Sequence, residues 1–198
     1  MAKLYFYYAA MNAGKSTTLL QADFNYRERG QRTMLFTAAF DDRFRKGAIT
    51  SRIGLERDAN PIEAATDLFA TIAAAHRADP IDCVLVDEAQ WLSRQQVFQL
   101  AAVCDELGIP VLAYGLRTDF QAKLFEGSAA LLAVADSLVE LKAICACGRK
   151  ATMNLRVDAD GKAVTEGAQI EVGGNERYIA LCRRHYSEQM GLTHGSAS

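Results

Sequence analysis

An apolar strand that runs through Ala9-Ala10-Met11-Asn12-Ala13-Gly14-Lys15-Ser16 into a helix constrains this chain more than any other stretch. Lys3 to Tyr8 is short, aromatic and apolar, as a buried strand is. Ser16 to Arg29 reads as a helix stopped by Gly30. The turn between them matches G-x-x-x-x-G-K-[ST] everywhere but its first position, Ala9. Each matched residue has a physical task. Gly14 lets the backbone bend so that successive N–H groups face one anion. The helix beginning near Ser16 adds the positive end of its dipole. Lys15 reaches the β- and γ-phosphates of a nucleotide, and the Ser16 hydroxyl ligates Mg²⁺. The bland alternative is a chance Gly-Lys-Ser at a helix start.

A second strand speaks against chance. Ile81-Asp82-Cys83-Val84-Leu85-Val86-Asp87-Glu88 is an apolar run that ends in two carboxylates. Asp87 is placed to hold Mg²⁺, directly or through water. Glu88, one residue further, can turn towards a substrate and act as general base for an attacking hydroxyl. A solvated Asp-Glu at the start of a turn is the competing reading.

The rest of the first 142 residues alternates strand with helix. Arg32–Ala38, Ile81–Val86, Ile109–Tyr114 and Ser137–Leu141 read as further strands. Asn60-Pro61 looks like the cap and first turn of a helix running to about Arg77. Ser93 caps a helix to Leu107, ended by Gly108, and Phe120–Ala135 holds a short helix or two interrupted by Gly127. The weakly periodic stretch from Asp41 to Asn60 reads as a loop. Near-continuous apolar strands alternating with helices predict an α/β fold with a parallel sheet.

The texture changes after Lys142. Short strand-like pieces, Ala151–Asp158 and Gln169–Val172, replace helical periodicity and suggest a small β-rich module over 143–192, followed by a disordered tail over 193–198. This module carries Cys145-Ala-Cys147 and Cys182-Arg-Arg-His185. Three thiolates and one imidazole make a closed tetrahedral zinc site with no open position, hence a structural one. Two unrelated pairs of buried thiols are the alternative. Cys83 and Cys104 lie within apolar patterns and read as core, His76 and His194 as exposed bystanders.

Charge narrows the function classes. With 22 basic and 24 acidic residues the net charge is −2, which gives no footprint for nucleic acid. No apolar run is long enough for a membrane span, and the N-terminus lacks a signal-peptide pattern, so a cytoplasmic protein is expected.

These elements together resemble the zinc-containing (type II) thymidine kinase family, close to its enterobacterial members. Beyond the P-loop the resemblance rests on Asp87-Glu88-Ala89-Gln90-Trp91, Tyr114-Gly115-Leu116-Arg117-Thr118-Asp119-Phe120, Cys145 to Ala151 and Gly173 to Tyr178. It implies a P-loop NTPase-like (RecA-like) sheet and phosphate transfer from Mg²⁺-bound ATP to the 5′-hydroxyl of thymidine. The ATP- and Mg-binding set then comprises Ala9, Ala10, Met11, Asn12, Ala13, Gly14, Lys15, Ser16, Asp87, Glu88, Ala89 and Gln90. Glu88 aligns with the catalytic base. Met11, Trp91, Leu116, Phe120 and Phe125 align with the apolar pocket around the base, and Tyr178 with the sugar site. Leu116, Phe120 and Phe125 can equally cap the sheet, and Tyr178 can cover the metal. The segment between Cys147 and Cys182 aligns with a lasso-like loop over thymine. The resemblance also implies a homotetramer and feedback inhibition by dTTP. One segment departs: Ser51-Arg52-Ile53 stands where the family has Thr-His-Asp/Asn, and Arg52 could supply charge to the transferring phosphoryl group.

Three rival readings share these features. One is a P-loop ATPase that binds nucleic acid through a zinc ribbon, another a nucleotide sensor without turnover. The third is a kinase of the same class for another nucleoside.

Overall fold

The structure is a computed structural model that describes residues 1–38, 47–169 and 177–192. Six parallel strands form its main sheet: β1 (Leu4–Ala9), β2 (Thr33–Ala38), β5 (Asn60–Ile62), β6 (Cys83–Asp87), β7 (Val111–Leu116) and β8 (Ser137–Glu140). Their order across the sheet is β5-β2-β6-β7-β1-β8. This is a P-loop NTPase-like arrangement. The phosphate-loop candidate follows β1 and the paired carboxylates end β6, with only β7 between those strands.

Side-chain alternation divides the core in two. Leu4 and Phe6, Val84 and Val86, and Val111 and Ala113 point to one face, where α2 (Leu68–Ala78), α3 (Arg94–Leu107) and α4 (Glu126–Val134) cover them through Leu68, Ile72, Val97, Leu100, Val103 and Leu131. Tyr5, Tyr7, Cys83, Leu85, Leu112 and Tyr114 point to the other, packed on Leu19 and Leu20 of α1 (Lys15–Glu28). Both faces are buried, which is why these strands read as continuous apolar runs. Each fully buried Leu or Phe here stabilises the fold by about 1.5–3 kcal/mol. Among the described residues no helix is long and apolar enough to cross a membrane.

Three expectations need correction. Asn60-Pro61 does not open a helix; it forms β5, paired in parallel with β2. Proline is tolerated there because β5 is an edge strand, where a missing N–H breaks no ladder. The helix starts at Leu68 instead, capped by the Asp67 carboxylate, which accepts from the Ala70 N–H at 2.9 Å. The stretch read as a loop up to Asn60 contains an antiparallel hairpin, β3 (Ala48–Thr50) with β4 (Glu56–Asp58); residues 41–46 lie outside the described residues. Gly127 does not break its helix. It sits in the first turn of α4, where a Cβ would meet the carbonyl oxygens of Ala89 at 2.4 Å and Leu92 at 2.8 Å. Glycine lets α4 lie directly on the turn that follows β6. The Ser93 capping box and the Gly108 stop of α3 are both present.

Beyond β8 the chain forms β9 (Ala143–Ile144) with β10 (Lys150–Ala151), β11 (Met153–Arg156) with β12 (Tyr178–Leu181), and α5 (Arg183–Gln189). Their shared core joins Ala143, Cys145, Ala151, Met153, Leu155, Leu181 and Tyr186 to Ala10 of the phosphate loop. Residues 170–172 of the strand expected at 169–172, residues 173–176, and His194 with the tail lie outside the described residues.

Candidate active site and metal centre

The phosphate loop is held in shape by two left-handed residues, Asn12 (φ 64) and Gly14 (φ 77). Asparagine and glycine are the residue types that tolerate this conformation best. Lys15 is buried at the first turn of α1. The Ser16 hydroxyl donates to Asp87 Oδ2 at 2.8 Å, which fastens the loop to the end of β6. Hydroxyl and carboxylate oxygens thus converge as a hard divalent cation requires. The Asp87 carboxyl is pushed up to about 7, first by burial and second by the neighbouring Glu88 charge. The Lys15 charge and the Ser16 hydroxyl offset this only in part, which fits a site that a cation completes.

Glu88 has φ 52 and ψ 37, a left-handed conformation in a residue that gains nothing locally from it. Its N–H donates to Asp87 Oδ1 at 3.0 Å, and its carboxylate accepts from the Gln90 side-chain amide. Gln90 also accepts from the Leu116 N–H at 3.0 Å, so one buried amide links Glu88 to the end of β7. Gly115 permits that contact, since a Cβ there would lie 2.9 Å from Gln90 Oε1. Ala89 is wholly buried beneath Glu88 in the short turn Ala89–Trp91.

Of the residues expected to form an apolar pocket, Trp91 and Phe125 meet edge to face at 4.8 Å between ring centroids. Leu116 and Phe120 are buried, and Met11 is half-buried in the phosphate loop. Phe120 lies under the Arg156 guanidinium, 3.9 Å from its ring centroid. Tyr178 is half-buried opposite Arg156 on β12. Arg52 stands exposed on the turn of the β3–β4 hairpin.

Four side chains that sequence reasoning did not single out tie this site together. Asn154 on β11 is buried; its oxygen accepts from the Met11 N–H at 2.7 Å and its amide donates to the Thr118 carbonyl at 2.9 Å. Tyr186 donates to the Phe120 carbonyl at 2.7 Å. Asp119 accepts from the N–H groups of Gln121 and Lys123 and from the Gln169 side chain. Arg156 holds the carbonyls of Glu166 and Ala168. A lone Asn or Arg in a strand has no spacing signal by which to be found. His76 is a further correction: it is half-buried, and its Nδ1 accepts from the Ile81 N–H at 2.9 Å.

Cys145, Cys147, Cys182 and His185 converge, with all four ligand atoms within 4.8 Å of one another. Cys147 Sγ and Cys182 Sγ are 3.8 Å apart, and Cys145 Sγ lies 3.3 Å from His185 Nδ1. Zinc–sulfur bonds of about 2.3 Å in a tetrahedron place two sulfurs about 3.8 Å apart. The Cys145 thiol is lowered to about 6 by the N–H groups of Cys147 and Cys182 and by His185. The thiol of Cys147 is shifted the other way, raised by desolvation and by the neighbouring Cys145 and Cys182; the donor set of three cysteines and one histidine fits structural zinc.

A family model described as thymidine kinase matches residues 2–186. The chain belongs to the thymidine kinase family. It is 71% identical to a thymidine kinase of Novosphingobium aromaticivorans over 96% of this chain and all of that one. A thymidine kinase of Zymomonas mobilis is 63% identical over 96% and 98% of the two chains. One of Vibrio cholerae is 59% identical over 96% and 100%. Solved structures such as the Candida albicans Pif1 helicase, 16% identical with a TM-score of 0.44 over 73% of this chain and 36% of that one, are too distant to bear on function. As a member of the thymidine kinase family the chain is a phosphotransferase. The phosphate-loop candidate is bonded to Asp87 through Ser16 and to β11, in the part of the chain that carries the Cys₃His cluster, through Asn154.

Proposed function

We propose that this enzyme transfers the γ-phosphoryl group of ATP to the 5′-hydroxyl of thymidine, with Glu88 as general base. The observation that carries the reading is the junction of phosphate loop and paired carboxylates, where Ser16 bonds Asp87 and Glu88 projects from the next residue. Residues 1–142 form the ATP-binding part in this reading, and 143–192 the zinc-bearing part.

Backbone N–H groups of Asn12 to Ser16 cradle the phosphates, and Lys15 draws charge from the β- and γ-phosphates. Ser16 and Asp87 would hold Mg²⁺, which when bound neutralises phosphate charge. Glu88 Oε accepts the 5′-hydroxyl proton as that oxygen attacks the γ-phosphorus in line. The Gln90 amide fixes the direction of the Glu88 carboxylate. Leu116, Trp91, Phe125 and Met11 provide apolar surface for the base, with Phe120 beneath and Tyr178 beside the sugar. Phosphoryl transfer asks for little covalent work, so positioning and charge neutralisation dominate the rate. Family membership also supports a homotetramer and feedback by dTTP.

The test is transfer of label from γ-labelled ATP to a panel of deoxynucleosides. Thymidine is expected to be labelled first and fastest. Equal labelling of every nucleoside, or ATP hydrolysis without transfer, would overturn the assignment.

A further inference from the structure

A second anion site lies outside the phosphate loop. A cleft of about 660 Å³ opens between the end of β8, the residue after β7 and the zinc-bearing module. That volume is within the range of small-molecule sites, about 300–1,000 Å³. Arg117, Arg149, Lys150, Arg183 and Arg184 line it, with Glu140 as the one carboxylate among the described residues that do so. Five cations against one acid is a local excess in a chain whose net charge is −2.

Neighbours neutralise only part of this excess. Lys150 pairs with Glu140, and Arg184 with Glu188 at 2.7 Å. Arg117 donates to the Thr152 carbonyl at 3.2 Å and lies over the Tyr8 ring, 6.0 Å from its centroid; neither contact removes its charge. Arg149 and Arg183 have no carboxylate partner among the described residues. Three guanidinium groups from three separate segments therefore border one cleft with no carboxylate partner among the described residues; the Cys182 thiol, which belongs to the Cys₃His cluster, offsets at most one of them. Guanidinium forks match phosphate oxygens in shape as well as charge, and a concave wall strengthens the field they set up.

We propose that this cleft binds a compact, multiply charged phosphate anion, of the size of a di- or triphosphate, between Arg117, Arg149 and Arg183. The site is separate from the catalytic phosphate loop and does not depend on the mechanism proposed for it.

The probe is inorganic tripolyphosphate, titrated calorimetrically into the full-length, zinc-loaded protein at low salt. A Lys15→Ala background weakens any competing heat from the phosphate loop; if that loop binds no phosphate, the background changes nothing and the cleft is still read. Saturable binding is expected, falling as salt rises. Arg149→Gln with Arg183→Gln is expected to weaken it by at least about tenfold, two charge-assisted contacts being lost. Both arginines neighbour zinc ligands, so zinc content is measured alongside. Should the double variant shed zinc, Arg117→Gln, distant in sequence from every ligand, serves in its place and is also expected to lose about tenfold. Absence of saturable binding, or wild-type affinity in the zinc-retaining variants, would overturn the proposal. So would a single-stranded oligonucleotide that binds the cleft more tightly than tripolyphosphate, since the partner would then be a polymer and not a compact anion.

Discussion

Glu88 is held in a left-handed backbone conformation by what surrounds it: Asp87 accepts its N–H, Ala89 is buried beneath it, and Gln90 clasps its carboxylate. Such strain is tolerated where a side chain must be aimed. Gln90 does the aiming, and it does so from a fixed point because its own oxygen is bound to the Leu116 N–H. Gln90→Ala therefore leaves Glu88 in place but unoriented, and leaves a buried N–H without its partner. Turnover is expected to fall by about tenfold or more, the scale of a misplaced catalytic group. ATP affinity, measured by titration, should change little. A Gln90→Ala enzyme with full turnover would remove this residue from the site.

At the scale of elements, the unexpected feature is β11. Its Asn154 satisfies the Met11 N–H in the phosphate loop and the Thr118 carbonyl after β7 with one amide. The strand thereby ties the turn after β1 to the loop carrying Phe120. Asn154→Ala leaves the buried Thr118 carbonyl and the part-buried Met11 N–H without this partner, at a cost of about 1–3 kcal/mol each. The melting temperature should drop by roughly 4–24 °C, taking about 2–4 °C per kcal/mol at this size. ATP affinity should fall with it, as titration would register. Unchanged melting and unchanged affinity would show that the two hydrogen bonds carry nothing. None of this was legible from sequence. The phosphate loop was, because strand, Gly14-Lys15-Ser16 and helix are contiguous and each residue has a local task. The Cys145, Cys147, Cys182 and His185 set was legible because ligand pairs have characteristic spacings. Asn154 and Met11 are 143 residues apart and belong to no pattern. The start of α2 was misplaced because Asn60-Pro61 imitates a capped first turn, whereas pairing with β2 decides its conformation.

For the molecule as a whole, two predictions follow from how its parts share a core. The module that carries the Cys₃His cluster packs Tyr186 and Asn154 against residues 118–120, so loss of a metal held by that cluster should be felt at the candidate active site. Cys182→Ser is expected to lower zinc content, increase hydrogen exchange in 151–157 and reduce turnover in parallel. A variant that loses zinc yet keeps wild-type turnover would contradict that coupling. The second prediction concerns alkaline pH. Burial raises the thiol of Cys83 from its ordinary 9.0 to about 12 and that of Cys104 to about 11. It also raises the phenols of Tyr7, Tyr26 and Tyr114, which pack on the α1 face of the sheet around Cys83. In each case the folded state favours the neutral, protonated form. The stability these groups contribute is whole below their unfolded pKa values, about 9 for the thiols and 10 for the phenols. It is lost progressively as pH rises from there towards the folded values. The melting temperature should accordingly fall continuously above about pH 9. A melting temperature that rises between pH 9 and 11 would contradict this.

The most direct test of the central claim is the single-turnover rate of phosphate transfer from ATP to thymidine by Glu88→Gln, with ATP affinity measured on the same preparation. The variant keeps the shape of the side chain and its place beside Gln90 but cannot accept a proton. The rate is expected to fall by about 10²–10⁴-fold, the range for a general base, with ATP affinity unchanged. A Glu88→Gln enzyme that transfers phosphate at the wild-type rate would contradict the account.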